Sequence, residues 1–317
     1  MTVNALGESL VLVGRWLQQS GYRFITPTPA THARVNARPD AQLGRDPRDV
    51  FGWSRPFQPG LLPAQVLGWL DAGGLLQRQD GLLRSRVRFS TLGDRLYAHS
   101  AYPTSDADAV FFGPDTYRFA ALIDAQLQRE PLPAGATILD VGCGAGPGGM
   151  VAALAGAAAR PELLLADINP QALLHARANA ALAGLERVGF VQSDLYAQAP
   201  GRFDLIVANP PYLVDASART YRHGGGPLGG GLSERIVAEG LPRLAPGGRL
   251  LLYTGAAIVD GRDPLAEALM PLVQAAGCEW RYWELDPDVF GEELDAPAYR
   301  QAERIAAVAL VARRPPA

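Results

Sequence analysis

Apolar residues recur at helical spacing at the start of the chain. Leu6, Leu10, Val13 and Leu17 share one face of a helix predicted over residues 5–22. A stretch rich in Pro, Arg and Asp, residues 26–48, interrupts the pattern and reads as a connector. A short helical repeat follows over 63–70. The period then changes to two. Over 82–90, Leu83, Ser85, Val87 and Phe89 alternate with Arg84, Arg86 and Arg88, which predicts a strand with one basic face and 96–99 as its hairpin partner. Helices followed by a two-stranded wing make residues 1–105 a winged-helix-like α+β domain.

Residues 106–317 carry a different rhythm. After a helix predicted over 117–127 and a Pro/Gly turn at 131–135, strands at 137–141, 162–167, 188–193, 203–208, 249–254, 280–284 and 305–311 punctuate the chain. Helices at 147–157, 170–182, 233–244 and 264–275 fill most of the gaps between them. Such alternation specifies an α/β domain with a doubly wound, mainly parallel, Rossmann-like sheet.

Composition narrows this picture. At 317 residues, 48% hydrophobic and 19% charged, the chain can build a sizeable core. Every one of its 29 basic residues is Arg. The net charge of −3 divides unevenly: residues 1–100 hold 12 Arg against 7 acids, and the remainder 17 Arg against 25. A basic front on an acidic body suits a polyanionic partner or a solvated Arg-rich surface. The two cysteines, Cys143 and Cys278, and the four scattered histidines suggest neither a disulfide nor a metal site. No basic segment precedes an apolar run at the start, and no stretch is long enough to span a bilayer, so a cytoplasmic protein is expected.

The candidate chemistry lies at strand ends. The first strand of the α/β region runs into Asp140-Val141-Gly142-Cys143-Gly144-Ala145-Gly146, where glycines let the backbone approach a ligand closely. Such a turn also fits a dinucleotide enzyme. An acid at Asp140 argues against that alternative, because it would repel a pyrophosphate, whereas it suits the cationic amino end of S-adenosylmethionine (SAM). Asp167 ends the next strand, where a ribose diol is held in Rossmann-like folds. Ile168 beside it can cover an adenine face, and Asp194, after the third strand, can accept from the adenine amino group.

Asn209-Pro210-Pro211-Tyr212 follows the strand at 203–208. The Asn209 side-chain oxygen and the Pro210 carbonyl can accept both hydrogens of a planar NH₂ group. Pro210 and Pro211 stiffen those acceptors, and Tyr212 can stack on the acceptor plane. The run from Tyr221 to Gly231, with six glycines, is expected to be a mobile loop that brings Arg222 or His223 to the acceptor.

With these motifs in this order, the chain from about Ala109 onward resembles the class I SAM-dependent methyltransferases. It is similar to the group that holds the release-factor glutamine and small-domain rRNA guanine methyltransferases. The resemblance implies SAM as cofactor and methylation of a planar nitrogen, in a protein glutamine, an adenine or a guanine. The acceptor would be RNA, a ribonucleoprotein or a translation factor, with no membrane or metal involved. It also places Asp115 and Thr116, in Gly113-Pro114-Asp115-Thr116-Tyr117, in the cofactor site. A small-molecule methyltransferase, a nicotinamide-dependent dehydrogenase and a non-catalytic SAM-binding module are the alternatives.

Overall fold

A computed structural model describes residues 3–104, 106–215 and 221–316. The chain forms two compact units that interleave along the sequence. The first contains residues 1–118, 144–147 and 170–186, and the second contains 119–143, 148–169 and 187–317.

The first unit begins with α1 (Val3–Gln19), whose Leu10, Val13 and Leu17 are fully buried as the helical spacing predicts. Two short helices, α2 (Pro29–Asn36) and α3 (Pro47–Phe51), form within and at the end of the stretch expected to be a connector. Each starts with Pro at its first position, and a side chain caps it. Thr28 accepts from Thr31 N–H (3.2 Å), and Asp46 accepts from Asp49 N–H (2.8 Å). These start signals were present in the sequence but lacked apolar periodicity. After α4 (Ala64–Ala72) come two antiparallel hairpins: β1 (Leu76–Gln79) with β2 (Leu82–Ser85), and β3 (Val87–Leu92) with β4 (Arg95–Ser100).

The expected strand over 82–90 is therefore two strands in two sheets, broken at Arg86. The basic face does not survive this break. Arg84 is half-buried and Arg86 exposed, but Arg88 is only 4% exposed and donates to Thr26 Oγ1 (3.2 Å). The reason is that β3 is covered on both sides. Segment 22–28 lies along it, with Tyr22 Oη donating to Phe89 O (2.9 Å) and Thr91 N–H to Phe24 O (2.8 Å). Burial lowers the Arg88 pKa to about 10.

The second unit is built on a seven-stranded sheet. Its strands are β5 (Thr137–Val141), β6 (Glu162–Asp167), β7 (Val188–Gln192), β8 (Phe203–Ala208), β9 (Leu244–Val259), β10 (Glu279–Asp286) and β11 (Ala302–Arg313). The spatial order is β7-β6-β5-β8-β9-β11-β10, with all pairs parallel except those of β11. In sequence the strands alternate with α5 (Pro114–Arg129), α6 (Pro147–Ala155), α7 (Pro170–Ala183), α8 (Gly231–Gly240) and α9 (Pro264–Ala275), of which α7 is grouped with the first unit. This is the doubly wound α/β fold the alternation specified. Central strands are covered on both faces, so their apolar runs are continuous: Leu205, Ile206, Val207 and Ala208 are all fully buried.

Strand order reverses between β5 and β8, and the crevice at the carboxyl ends of two such strands is where open α/β sheets bind ligands. Val141 pairs with Ala208 across this junction, so the chain leaves the sheet there at Gly142 and at Asn209 side by side. Replacing Ile206 with Ala removes packing from the centre of this core. A loss of about 2–5 kcal/mol in urea unfolding is expected, and a change under 1 kcal/mol would show that the strand is less tightly packed.

Candidate functional site

Asp140 closes β5 with a carboxylate that is 2% exposed. Its Oδ2 accepts a 2.6 Å bond from Gly149 N–H, in the first turn of α6. The donor comes this close because α6 starts with two glycines. A Cβ on Gly149 would lie 2.9 Å from Asp140 Cβ and 2.7 Å from Leu165, and one on Gly148 would lie 2.3 Å from the Phe119 ring. Gly148 and Gly149 are packing partners of Asp140 that the sequence reading missed, although a glycine pair at a helix start was a visible signal. Burial raises the Asp140 pKa to about 7, against the pull of the Gly149 bond and with a further push from Asp167.

The turn after Asp140 uses left-handed backbone at Gly142 (φ 67°), Gly144 (φ 54°) and Gly146 (φ 87°). Apart from the adjoining residues, no atom of the described residues lies within 4 Å of where a Cβ on Gly142 or Gly144 would stand, so a ligand can approach the backbone there. Cys143 N–H donates to Ala166 O (3.0 Å), and burial raises its thiol pKa well above the usual value.

Asp167 ends β6 and is buried, with Oδ1 accepting from Asn169 N–H (2.8 Å). Ile168 stands 51% exposed beside it, an apolar surface available to a planar ligand. Asp194 is exposed and faces Arg235 at 3.5 Å. Asp140, Gly142, Asp167, Ile168, Asp194 and Asn209 all belong to the second unit, whereas Gly144, Gly146, Asp115 and Thr116 belong to the first. In the first unit Asp115 pairs with Arg118 (3.2 Å). Thr116 Oγ1 accepts from Gly113 N–H (3.3 Å), the reach-back half of a capping box on α5.

Asn209 is half-buried at the end of β8 and Pro210 is buried. Tyr212 is 6% exposed. Its ring covers Gly255 of β9, where a Cβ would lie 2.2 Å from it, and it meets Phe290 edge-on at 5.8 Å. The structure thus shows Tyr212 as a packed support for the turn.

The glycine-rich run is not the free loop expected from its composition. A Cβ on Gly224 would lie 2.7 Å from Pro211 O, and one on Gly229 would lie 2.1 Å from Tyr212 O. Gly224 N–H donates to Leu213 O (2.9 Å) and Leu213 N–H to Arg222 O (3.2 Å). Glycine density here allows backbone to press on backbone, directly against the Pro211–Leu213 segment. Arg222 forms an ion pair with Glu293 and lies 3.7 Å from Asp215, and His223 Nδ1 accepts from Asp215 N–H (3.2 Å). Residues 216–220, just before this run, lie outside the described residues. Among the described residues no group of His, Cys, Asp and Glu is arranged to hold a metal ion, and no helix is long and apolar enough to cross a membrane.

Comparison with known proteins gives this site a context. The family model described as "Methyltransferase small domain" matches residues 120–258. A release factor glutamine methyltransferase of Cereibacter sphaeroides is 41% identical over 253 residues, covering 74% of this chain and 84% of the relative. One from Deinococcus radiodurans is 38% identical over 200 residues, covering 60% of this chain and 66% of the relative. Ribosomal RNA small subunit methyltransferase C of Serratia proteamaculans is 34% identical over 119 residues, covering 38% of this chain. The chain thus spans just under two thirds of the Deinococcus relative and 30% of the Serratia one.

The raised pKa of Asp140 carries a stability consequence. Between the ordinary value of 3.8 and about 7 the folded state holds a proton that the unfolded state releases, so stability falls as pH rises through that window. Asp140→Asn keeps an acceptor for Gly149 but does not titrate. In urea unfolding at pH 4.5 and 7.5, the wild type should lose on the order of a few kcal/mol more than the variant. Equal losses would show that Asp140 titrates normally.

Proposed function

The chain belongs to the methyltransferase family that includes the release factor glutamine methyltransferases, and on that premise we propose that it transfers a methyl group from SAM to the nitrogen of a planar NH₂ group. The observation that carries this reading is the placement of Asp140 and Asn209 at the carboxyl ends of adjacent parallel strands, where the strand order reverses.

The residues present fit SAM. Asp140 offers a buried carboxylate to the methionine ammonium, and the Gly142–Gly146 turn leaves backbone open to close approach. Asp167 provides carboxylate oxygens for ribose hydroxyls, Ile168 an exposed apolar surface for adenine, and Asp194 an acceptor for its amino group. Asp115 and Thr116 are proposed cofactor contacts by resemblance alone. SAM, when bound, supplies a methyl group on a good leaving group, so the chain's own task is positioning.

An amide or aryl nitrogen is a weak nucleophile because its lone pair is delocalised. Asn209 Oδ1 and the Pro210 carbonyl, accepting the two N–H bonds, favour a pyramidal nitrogen and aim its lone pair. Pro210-Pro211 limits backbone freedom, and Tyr212, seated on Gly255, holds the turn from beneath. Arg222 and His223 border the same segment, and their ties to Glu293 and Asp215 make them supports of the acceptor pocket wall.

We propose a macromolecular acceptor: glutamine in a protein such as a translation factor, or a base in RNA or a ribonucleoprotein. The burial of Arg88 removes the three-arginine strand face as a support for RNA.

Asn209→Ala should keep SAM affinity within a few-fold while turnover falls about 100-fold or more, the loss expected for one preorganised polar contact. Calorimetry with SAM and a radiolabel transfer assay separate the two quantities, and wild-type turnover in the variant would remove the clamp. The acceptor itself is read by transferring label from SAM into an extract of cells lacking the gene. Label that protease releases identifies a protein, and label that RNase releases identifies RNA. Label confined to the low-mass fraction would overturn the macromolecular acceptor.

A further inference from the structure

Asn179 lies in α7 and is fully buried, yet it plays no part in the chemistry above. A side-chain amide has two N–H donors and one carbonyl acceptor, and here every one is engaged. Oδ1 accepts from Ala98 N–H (2.7 Å), while Nδ2 donates to Ala98 O (3.0 Å) and to Ala145 O (2.9 Å). Ala98 is a central residue of β4, and Ala145 sits between Gly144 and Gly146 in the glycine turn. All of these residues belong to the first unit.

The helix that presents Asn179 is itself held in that unit. A Cβ on Gly14 of α1 would lie 2.5 Å from Leu182, so the missing side chain lets α7 seat against α1. Ala178 and Leu182, flanking Asn179, are part of the buried cluster formed by Leu10, Val13 and Phe89. On the turn side, Ala145 packs with Val110 and Ala172 in a small apolar cluster. Asn179 therefore comes from a fixed frame, and its orientation is set before any ligand arrives.

The turn needs such a frame. Three left-handed glycines within five residues give it a shape that glycine leaves as easily as it enters. We propose that Asn179 is a positioning residue for the cofactor turn. It fastens Ala145 to the β3–β4 hairpin, so the turn takes SAM only while that hairpin holds Asn179 in place. This rests on the reading of Gly142–Gly146 as the SAM turn. The hairpin thereby becomes part of the cofactor-binding framework.

The chemistry of the side chain is specific. A carboxylate at this position would keep an acceptor for Ala98 N–H but lose both donors. An apolar isostere would lose all three bonds and leave buried backbone groups unpaired.

The test is calorimetric titration of SAM into the wild type, Asn179→Asp and Asn179→Leu, with hydrogen exchange followed across residues 95–100 with and without SAM. In the wild type, SAM should slow exchange at Ala98 while leaving the β1–β2 hairpin unchanged. Both variants should bind SAM about tenfold or more weakly, roughly the worth of one hydrogen bond to a buried group. The SAM-dependent protection at Ala98 should disappear in both. A residue that only filled space would lower the melting temperature of Asn179→Leu and leave affinity and protection alone.

Wild-type affinity in Asn179→Asp, or no SAM-dependent protection at Ala98 in the wild type, would overturn the proposal. If Asn179→Leu does not fold, those two readouts still decide it. A wild-type protein that binds no SAM would overturn the SAM reading and this proposal together. Tight SAM binding that is indifferent to residue 179 would overturn this proposal alone.

Discussion

A carboxylate buried at the end of a sheet strand needs a hydrogen-bond partner, and the 2.6 Å bond from Gly149 N–H to Asp140 partly offsets the cost of its burial. The donor is in the first turn of α6, where unpaired N–H groups and the helix dipole both favour an anion. Gly148 and Gly149 make the approach possible, because a Cβ on either would collide with Phe119, Leu165 or Asp140 itself. Strand end and helix start are thus tied by this contact. The pairing of β5 with β8 then carries the same constraint sideways. Val141 opposite Ala208 puts Asn209 level with Gly142, so the Asn209-Pro210-Pro211 turn inherits its place from backbone hydrogen bonds.

The turn from Asn209 to Tyr212 is held by the absence of side chains around it. Gly224 and Gly229 press against the Pro211–Leu213 backbone, and Gly255 leaves a hollow that the Tyr212 ring fills. These glycines work differently from those of the cofactor turn. At Gly142 and Gly144 the space of a Cβ is open and the backbone is left-handed. At Gly224 and Gly255 it is occupied by neighbouring protein. One residue type therefore leaves room for a ligand in one place and removes freedom in another. The ion pair of Arg222 with Glu293 adds a polar tie to the same wall.

Much of the α/β region was legible because its strands are parallel and covered on both faces, which leaves uninterrupted apolar runs such as Leu205–Ala208. Their ends were legible because acids and an Asn-Pro-Pro run stood directly after them. The front of the chain was harder to read. α2 and α3 are short and capped, with little periodicity. The alternation through 82–90 gave no sign that the ladder changes partner at Arg86. Arg88 looked like one of three solvent-facing arginines, and only the segment 22–28 lying over β3 makes it a core residue. The glycine-rich run was legible as glycine, but composition does not reveal what lies within 3 Å of a missing Cβ.

By itself the sequence determined the doubly wound sheet and the identity of the residues that stand at its strand ends. Periodicity and local turn chemistry act over a few residues and leave their mark in the order of the letters. Tertiary structure alone decided which of those residues are exposed, which are supports and which are buried partners. Arg88, Tyr212 and Asn179 owe their roles to segments 62, 43 and 81 residues away, at Thr26, Gly255 and Ala98. Burial and hydrogen bonding between such distant segments depend on the packed chain, and no local pattern encodes them.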